Sequence, residues 1–371
     1  MGEMGQTQQA SRARGVICFT NPGQFTYITQ SGIYGNVSNG DKPIRGTVQA
    51  VARARITRFG KLKDLLCIAP GDYVFLFERE KSRLHGVWRV SDEPFFCSSP
   101  VFDPSNDYPY RFYMQQYLNF ETPIPSMELR KLLNNSVLWS IRTFERAPGT
   151  PFASINPVSM QETDALLELF WKYNHRTDPM SNLVSYSHQP LQATINFYNL
   201  VMDNRYSSNT PLEVKANNLG QFPQRQIYEE TLHCYLIYNL VRRTSPIVGW
   251  FGQYSQVLRE VPISVAGQQR ADILLVYHNA MTGEPTVYTI IEVKRSRVNL
   301  DMLRQLLEYV RLFSERHNLD LNSVEGIYIG AGIEPDASEY VKERAKVEVE
   351  RPVRLFEYGL SGNTVTLNPI P

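Results

Sequence analysis

Asp272 stands in an apolar run, Ala271-Asp272-Ile273-Leu274-Leu275, and twenty residues later Ile291-Glu292-Val293-Lys294 again sets charge among aliphatics. Residues two apart on a strand project from one face, so Glu292 and Lys294 point together. Asp272, at the start of the neighbouring run, reaches toward the same point. Two carboxylates and a lysine at a strand end are costly to hold together unless something binds there. Carboxylate oxygens suit a hard cation such as Mg²⁺, for which Mn²⁺ can substitute; such an ion keeps waters and takes phosphate oxygens from a substrate. The lysine would hold or help deprotonate a water, or steady developing charge. The chemistry this predicts is cleavage of a phosphodiester.

The elements around these residues must bring them together. Gly283 falls in a polar break between the two runs, so they read as neighbouring strands joined by a turn. Residues 299–313 (NLDMLRQLLEYVRLF) carry apolar residues at helical spacing, with Gln305 and Tyr309 one turn apart on one face. Upstream, residues 226–240 (QIYEETLHCYLIYNL) form a second helical pattern. There Glu229 shares a face with Leu232 and Leu236, and a carboxylate on an apolar face needs a partner or a task. Glu230 lies about 100° further round and points to solvent.

The order Glu229, Asp272, Glu292-x-Lys294, Gln305-x-x-x-Tyr309 resembles the PD-(D/E)xK nuclease superfamily. The likeness is to its QxxxY branch, which includes RecB-like and archaeal single-strand and mismatch nucleases. It covers residues 221–360, with 326–332 (GIYIGAG) and 353–358 as later core strands. The resemblance implies metal ligation by Asp272 and Glu292, metal support from Glu229 and a water-activating or phosphate-contacting role for Lys294. It also implies positioning of DNA or of the site by Gln305 and Tyr309. Ala271 stands where the motif name has proline. An exposed edge strand can carry a lone E-x-K as a solvated pair; six positions in order on the right elements argue for a site.

At 371 residues the chain exceeds one comfortable core and should hold two domains. Hydrophobic residues at 42% and charged residues at 20% describe an ordinary globular protein, and no apolar run approaches a membrane span. Cys18, Cys67, Cys97 and Cys234 are scattered without CxxC pairs, which argues against zinc and for buried thiols in a reducing cytoplasm. Residues 1–14 read as a disordered tail. The six histidines show no ligand spacing, and His85 reads as a strand residue.

The N-terminal half is a different module. Residues 45–63 hold six cations, Arg45, Arg53, Arg55, Arg58, Lys61 and Lys63, and no acid, a run that can track a phosphate backbone or form a solvated basic face. Short strands follow at 73–77 (YVFLF) and 84–90 (LHGVWRV), then an aromatic, proline-rich loop up to 110–112. The segments PGDYVFLF (70–77), HGVWRVSDEPF (85–95) and YPYRF (108–112), with helical patterns at 126–133 and 159–173, resemble the PUA-like superfamily, in particular its EVE and YTH members. That family holds a flipped, modified base, such as N6-methyladenine or a modified cytosine, in an aromatic cage. Tyr34, Asn36, Phe102 and Tyr108 fall near the cage segments, without the tryptophans typical there.

The expected architecture is α/β in two domains. A PUA-like mixed α/β barrel spans 15–175, a connector 176–220, and a restriction-endonuclease-like αβββαβ core 221–371. The expected function is a cytoplasmic, Mg²⁺-dependent endonuclease that reads a modified base in double-stranded DNA and cuts the backbone, with a homodimer suited to double-strand breaks. Two alternatives stand beside it. One is a repair-type nuclease acting on mismatched, flapped or single-stranded DNA; the other is a catalytically silent nucleic-acid-binding protein, including an RNA reader.

Overall fold

Residues 271–275 and 287–293 have the aliphatic content of buried strands, and both lie inside a six-stranded sheet in this computed structural model. The structure describes residues 14–21, 23–36, 59–96, 108–141, 144, 154–174, 229–264, 269–279, 281–347, 353–361 and 364–370.

In the N-terminal module the elements are β1 (Gly15–Thr20), α1 (Gln24–Ser31), β2 (Ile33–Asn36), α2 (residues 59–66), β3 (Tyr73–Glu78), β4 (Arg83–Val90), β5 (Phe95–Phe96), β6 (Tyr110–Gln116), β7 (Ile124–Pro125), α3 (Ser126–Asn134), β8 (Ile155–Val158) and α4 (Met160–Tyr173). The sheet runs β2-β6-β4-β3-β1-β8, with β5 on β6 and β7 on β4. Among the described residues this path stays open, a half-barrel where the strand spacing suggested a barrel. β1 and β3 pair in parallel and are apolar on both faces, as a doubly covered parallel pair requires. Ile17, Phe19, Phe75 and Phe77 pack toward α3 and α4, while Val16, Cys18, Val74 and Leu76 pack toward α1 and α2. Gly15 is needed where it stands: a Cβ there would meet Thr163 Oγ1 of α4 at 2.7 Å. α4 starts with a capping box, Ser159 accepting from the Glu162 amide and Glu162 accepting from the Ser159 amide.

The C-terminal module follows the order α5 (Glu229–Arg242), β9 (Gln256–Pro262), β10 (Arg270–His278), β11 (Pro285–Val293), α6 (Leu300–His317) and β12 (Val324–Gly330). That is the expected αβββαβ core. It is extended by α7 (Pro335–Val347), β13 (Arg354–Ser361) and β14 (Thr364–Ile370). Sheet order is β14-β13-β12-β11-β10-β9, antiparallel from β9 to β11 and parallel from β11 to β13. Helices α6 and α7 each bridge a parallel step, as such connections demand. α6 starts at Asn299, whose side chain accepts from the Met302 amide. It packs Leu303, Leu306, Tyr309 and Phe313 onto the sheet face bearing Leu274, Ile290 and Tyr328. α5 covers the opposite face, against Ile273, Leu275, Ile291 and Val293.

An amphipathic α5 would leave one face wet, but residues 231–237, 239 and 240 are all buried. The reason is that α5 lies between the modules. Its Leu232, Cys234 and Leu236 belong to one apolar cluster with Phe59, Leu62 and Leu66 of α2. Arg242 donates to the Leu66 carbonyl and pairs with Glu93. Arg14, at the end of the expected tail, is anchored instead by Asp72 at 2.7 Å. Cys18, Cys67 and Cys234 are buried free thiols, as their apolar neighbours suggested. Among the described residues no helix is long and apolar enough to cross a membrane.

Candidate active site

The β10–β11 ladder ends on one side at Ile273↔Ile291. Beyond it, side chains take over the backbone's partners. Glu292 Oε1 accepts from the Asp272 amide at 3.2 Å, and Asp272 Oδ2 accepts from the Val293 amide at 3.0 Å. Each carboxylate thus caps the other's strand, which brings both acids to the point where the two strands part. Across the sheet, Lys294 N donates to the Ile329 carbonyl and Ala331 N to the Ser296 carbonyl, extending the β11–β12 pairing past the carboxylates. Gly330 permits this close approach: a Cβ there would lie 2.6 Å from Val298 Cγ2.

Lys294 Nζ stands 3.9 Å from Glu292, 4.0 Å from Asp272 and 3.4 Å from Glu229. Glu229, from the first turn of α5, also accepts from the Arg295 amide at 3.2 Å. The facing argument for Glu229 over Glu230 therefore has a structural counterpart. On α6, Gln305 Nε2 donates to Tyr309 Oη at 2.8 Å, so the two sequence-predicted residues form a unit one turn long. The structure brings together Asp272, Glu292, Lys294 and Glu229, with the Gln305–Tyr309 unit on the neighbouring helix.

Their charges are unequal. Burial pushes the Asp272 carboxyl up, but His233, Lys294 and the Val293 amide outweigh it and hold it well below the carboxylate range. Burial and then the Asp272 charge push Glu292 far up, with Lys294 opposing in part. Burial works to lower Lys294, yet Asp272, Glu229 and Glu292 leave it raised and charged.

Two residues escaped the sequence reading. His233 Nε2 lies 3.4 Å from Asp272 Oδ2 and 3.5 Å from the Val293 carbonyl, which sets a histidine beside the candidate carboxylates. The available signal was its position four residues after Glu229, hence on the same helix face. Tyr328 is in register with Glu292 on the adjacent parallel strand.

The N-terminal candidates fare differently. Tyr34 is 2% exposed, stacks on Phe112 at 5.3 Å and donates to the Phe19 and Ser154 carbonyls, so it is a core residue and not a cage wall. Asn36 is buried against Asp64, and Tyr108 is buried and accepts from Asn21. Lys61 donates to Ser154 Oγ at 2.8 Å and Lys63 pairs with Glu260 at 3.1 Å, which removes both from an open basic face. Arg45, Arg53, Arg55, Arg58 and Phe102 lie outside the described residues. His85 is a strand residue, as expected, bonded to Glu78 at 3.0 Å.

Residues 275–354 match the family described as the Endonuclease NucS C-terminal domain, which identifies a nuclease domain in the C-terminal half. No curated protein matches the chain. Among solved structures, a repair endonuclease from Pyrococcus abyssi is similar over 30% of this chain and 43% of its own, at 19% identity and a TM-score of 0.23. The chain thus matches less than half the length of that protein. The YTH domain-containing protein mmi1, solved with RNA, is similar over 44% of this chain and 88% of its own, at 13% identity and a TM-score of 0.27. The YTH domain of Zygosaccharomyces rouxii MRB1, solved with N6-methyladenosine RNA, is similar over 43% and 88%, at 13% identity and 0.24.

Proposed function

We propose that the protein is a divalent-metal-dependent DNA endonuclease of PD-(D/E)xK type, in which the N-terminal module selects the target and the site at Asp272, Glu292 and Lys294 cuts it. The observation that carries this reading is the convergence of Lys294 on three carboxylates at 3.4–4.0 Å, Asp272 of β10, Glu292 of β11 and Glu229 of α5.

The donor set fits a hard cation. Asp272 and Glu292 present oxygens beside a single ammonium, and burial, then the Asp272 charge, raises Glu292. Among the described residues no group of three His, Cys, Asp or Glu side chains is placed to hold a metal ion. Mg²⁺ needs none, since it is commonly held by one or two carboxylates with waters and substrate phosphate completing its shell. Asp272 and Glu292 would hold it, with Glu229 in support. When bound, the ion would supply charge to the phosphate and acidify a water. Lys294 keeps its positive charge toward the position where the phosphorane charge develops, and Glu229 orients it. His233 fixes Asp272 from the α5 side.

For the target, selection by a modified base is what the N-terminal resemblance implies. Repair-type selection of mismatched, flapped or single-stranded DNA is the second reading, favoured by the closure of Tyr34, Asn36 and Tyr108 into the core. A cleavage assay in Mg²⁺ or Mn²⁺ separates them, using matched duplexes with and without N6-methyladenine or modified cytosine alongside mismatched, flapped and single-stranded DNA. Preference for modified duplexes supports the first reading, and preference for altered strand structure supports the second. In either case Lys294→Ala must slow cutting at least about 100-fold; a rate left within ten-fold of wild type removes the assignment to this site, and no cutting by the wild type removes the nuclease reading.

A further inference from the structure

Tyr328 raises a question of cost. Its side chain is 0% exposed, and its phenolic oxygen has no hydrogen-bond partner among the described residues. A buried, unmade hydrogen bond is unfavourable, and phenylalanine would fill the same apolar space without it. The orphan is placed beside the acids. Tyr328 pairs with Glu292 across the parallel β11–β12 ladder, and paired residues on parallel strands project from the same face. That face is the one covered by α6, which brings Tyr309 to the same cluster. After burial, the groups acting on the Tyr328 phenol are Glu292, Asp272, Tyr309 and Glu229, all members of the candidate site.

We propose that Tyr328 is a positioning residue of the metal site, its hydroxyl held in reserve to donate a hydrogen bond to the Glu292 carboxylate when that carboxylate turns to a bound cation. At present Glu292 faces the Asp272 amide and Lys294. A carboxylate recruited to a metal keeps one oxygen for the ion and needs a donor for the other, as metal-binding carboxylates are themselves hydrogen-bonded. The inference rests on the metal-dependent reading above.

The test is Mn²⁺ binding by calorimetry on the full chain, without DNA, for wild type, Tyr328→Phe, Glu292→Gln and the double variant. Tyr328→Phe is expected to keep a metal-free melting temperature no lower than wild type, because it deletes only an orphan hydroxyl. Its Mn²⁺ dissociation constant should rise about ten-fold, the size of a hydrogen bond to a charged group. In the Glu292→Gln background the same change should have no further effect. Equal Mn²⁺ affinity of wild type and Tyr328→Phe would overturn the role of Tyr328 while leaving the metal site standing. An equal loss in the Glu292→Gln background would overturn the coupling to Glu292. Absence of saturable Mn²⁺ binding by the wild type would overturn the metal-dependent reading and this inference together.

Discussion

Arg259 of β9 and Asp64 of α2 form an ion pair across the boundary between the two modules, each side chain only 3% exposed. The neighbouring residues repeat the arrangement, with Lys63 on Glu260 at 3.1 Å and Arg259 itself 3.1 Å from Glu260. A charge pair removed from water this fully is a weak source of net stability, but breaking it leaves the survivor buried and uncompensated.

Arg259→Ala is therefore expected to destabilise the protein by about 3–5 kcal/mol. Arg259→Met combined with Asp64→Leu should recover most of that loss. Urea unfolding of the three proteins checks the pair. If the double variant is as unstable as the single one, the loss comes from packing and not from the stranded carboxylate.

Lys294→Ala should lower the DNA cleavage rate at least about 100-fold, the scale for removing a donor aimed at developing charge. The far-ultraviolet circular dichroism should not change, because Lys294 is partly exposed and follows the last residue of β11. A residual rate within ten-fold of wild type would show that the ammonium does not act on the reaction.

His233→Ala should raise the metal concentration needed for half-maximal cleavage by about ten-fold, the usual effect of losing a group that orients a metal ligand. The rate at saturating metal should fall less, since Asp272 and Glu292 remain. A metal titration of the cleavage rate distinguishes this from a general folding defect, which would depress the rate at all metal concentrations.

Stability should also vary with pH through His317. Burial, and then the neighbouring Arg316, lowers its imidazole to about 4, from an ordinary 6.5. Between these values the unfolded chain binds a proton that the folded protein refuses, so stability rises with pH across that window. The contribution is complete above pH 6.5 and is lost as pH falls toward 4. The ring packs on Phe313 at 4.3 Å and Trp139 at 4.8 Å, with Nε2 buried and without a partner among the described residues. His317→Phe should gain about 2 kcal/mol over wild type at pH 4.5 relative to its difference at pH 7. Parallel pH dependences for the two proteins would contradict the assignment.

What was legible in the sequence is what local periodicity encodes. Glu292 and Lys294 were readable as a pair because a strand puts alternate residues on one face, and Glu229 because a helix aligns it with Leu232 and Leu236. The αβββαβ order came with the family resemblance, while periodicity itself marked α5, β10, β11 and α6 and left β9 unread. His233 was not readable as a site residue, because its partner Asp272 lies 39 residues on and meets it only through the packing of α5 on the sheet. Tyr34 looked available because Phe112, which covers it, comes from a distant strand. The basic run looked open for a similar reason: the acid that answers Lys63 is Glu260, on the other module.

Helix α5 gives these contacts a shared consequence. It holds Glu229 and His233 at one end, while Arg242 near the other end is bound to Leu66 and Glu93 of the N-terminal module. The nuclease half is therefore no detachable cassette. Cut free at residue 221, it would expose to water the side of α5 that Phe59, Leu62 and Leu66 now cover, and the helix that presents Glu229 would lose its backing. The two modules share one keel, and a change in how the N-terminal module sits on α5 is also a change in the frame that holds the acids.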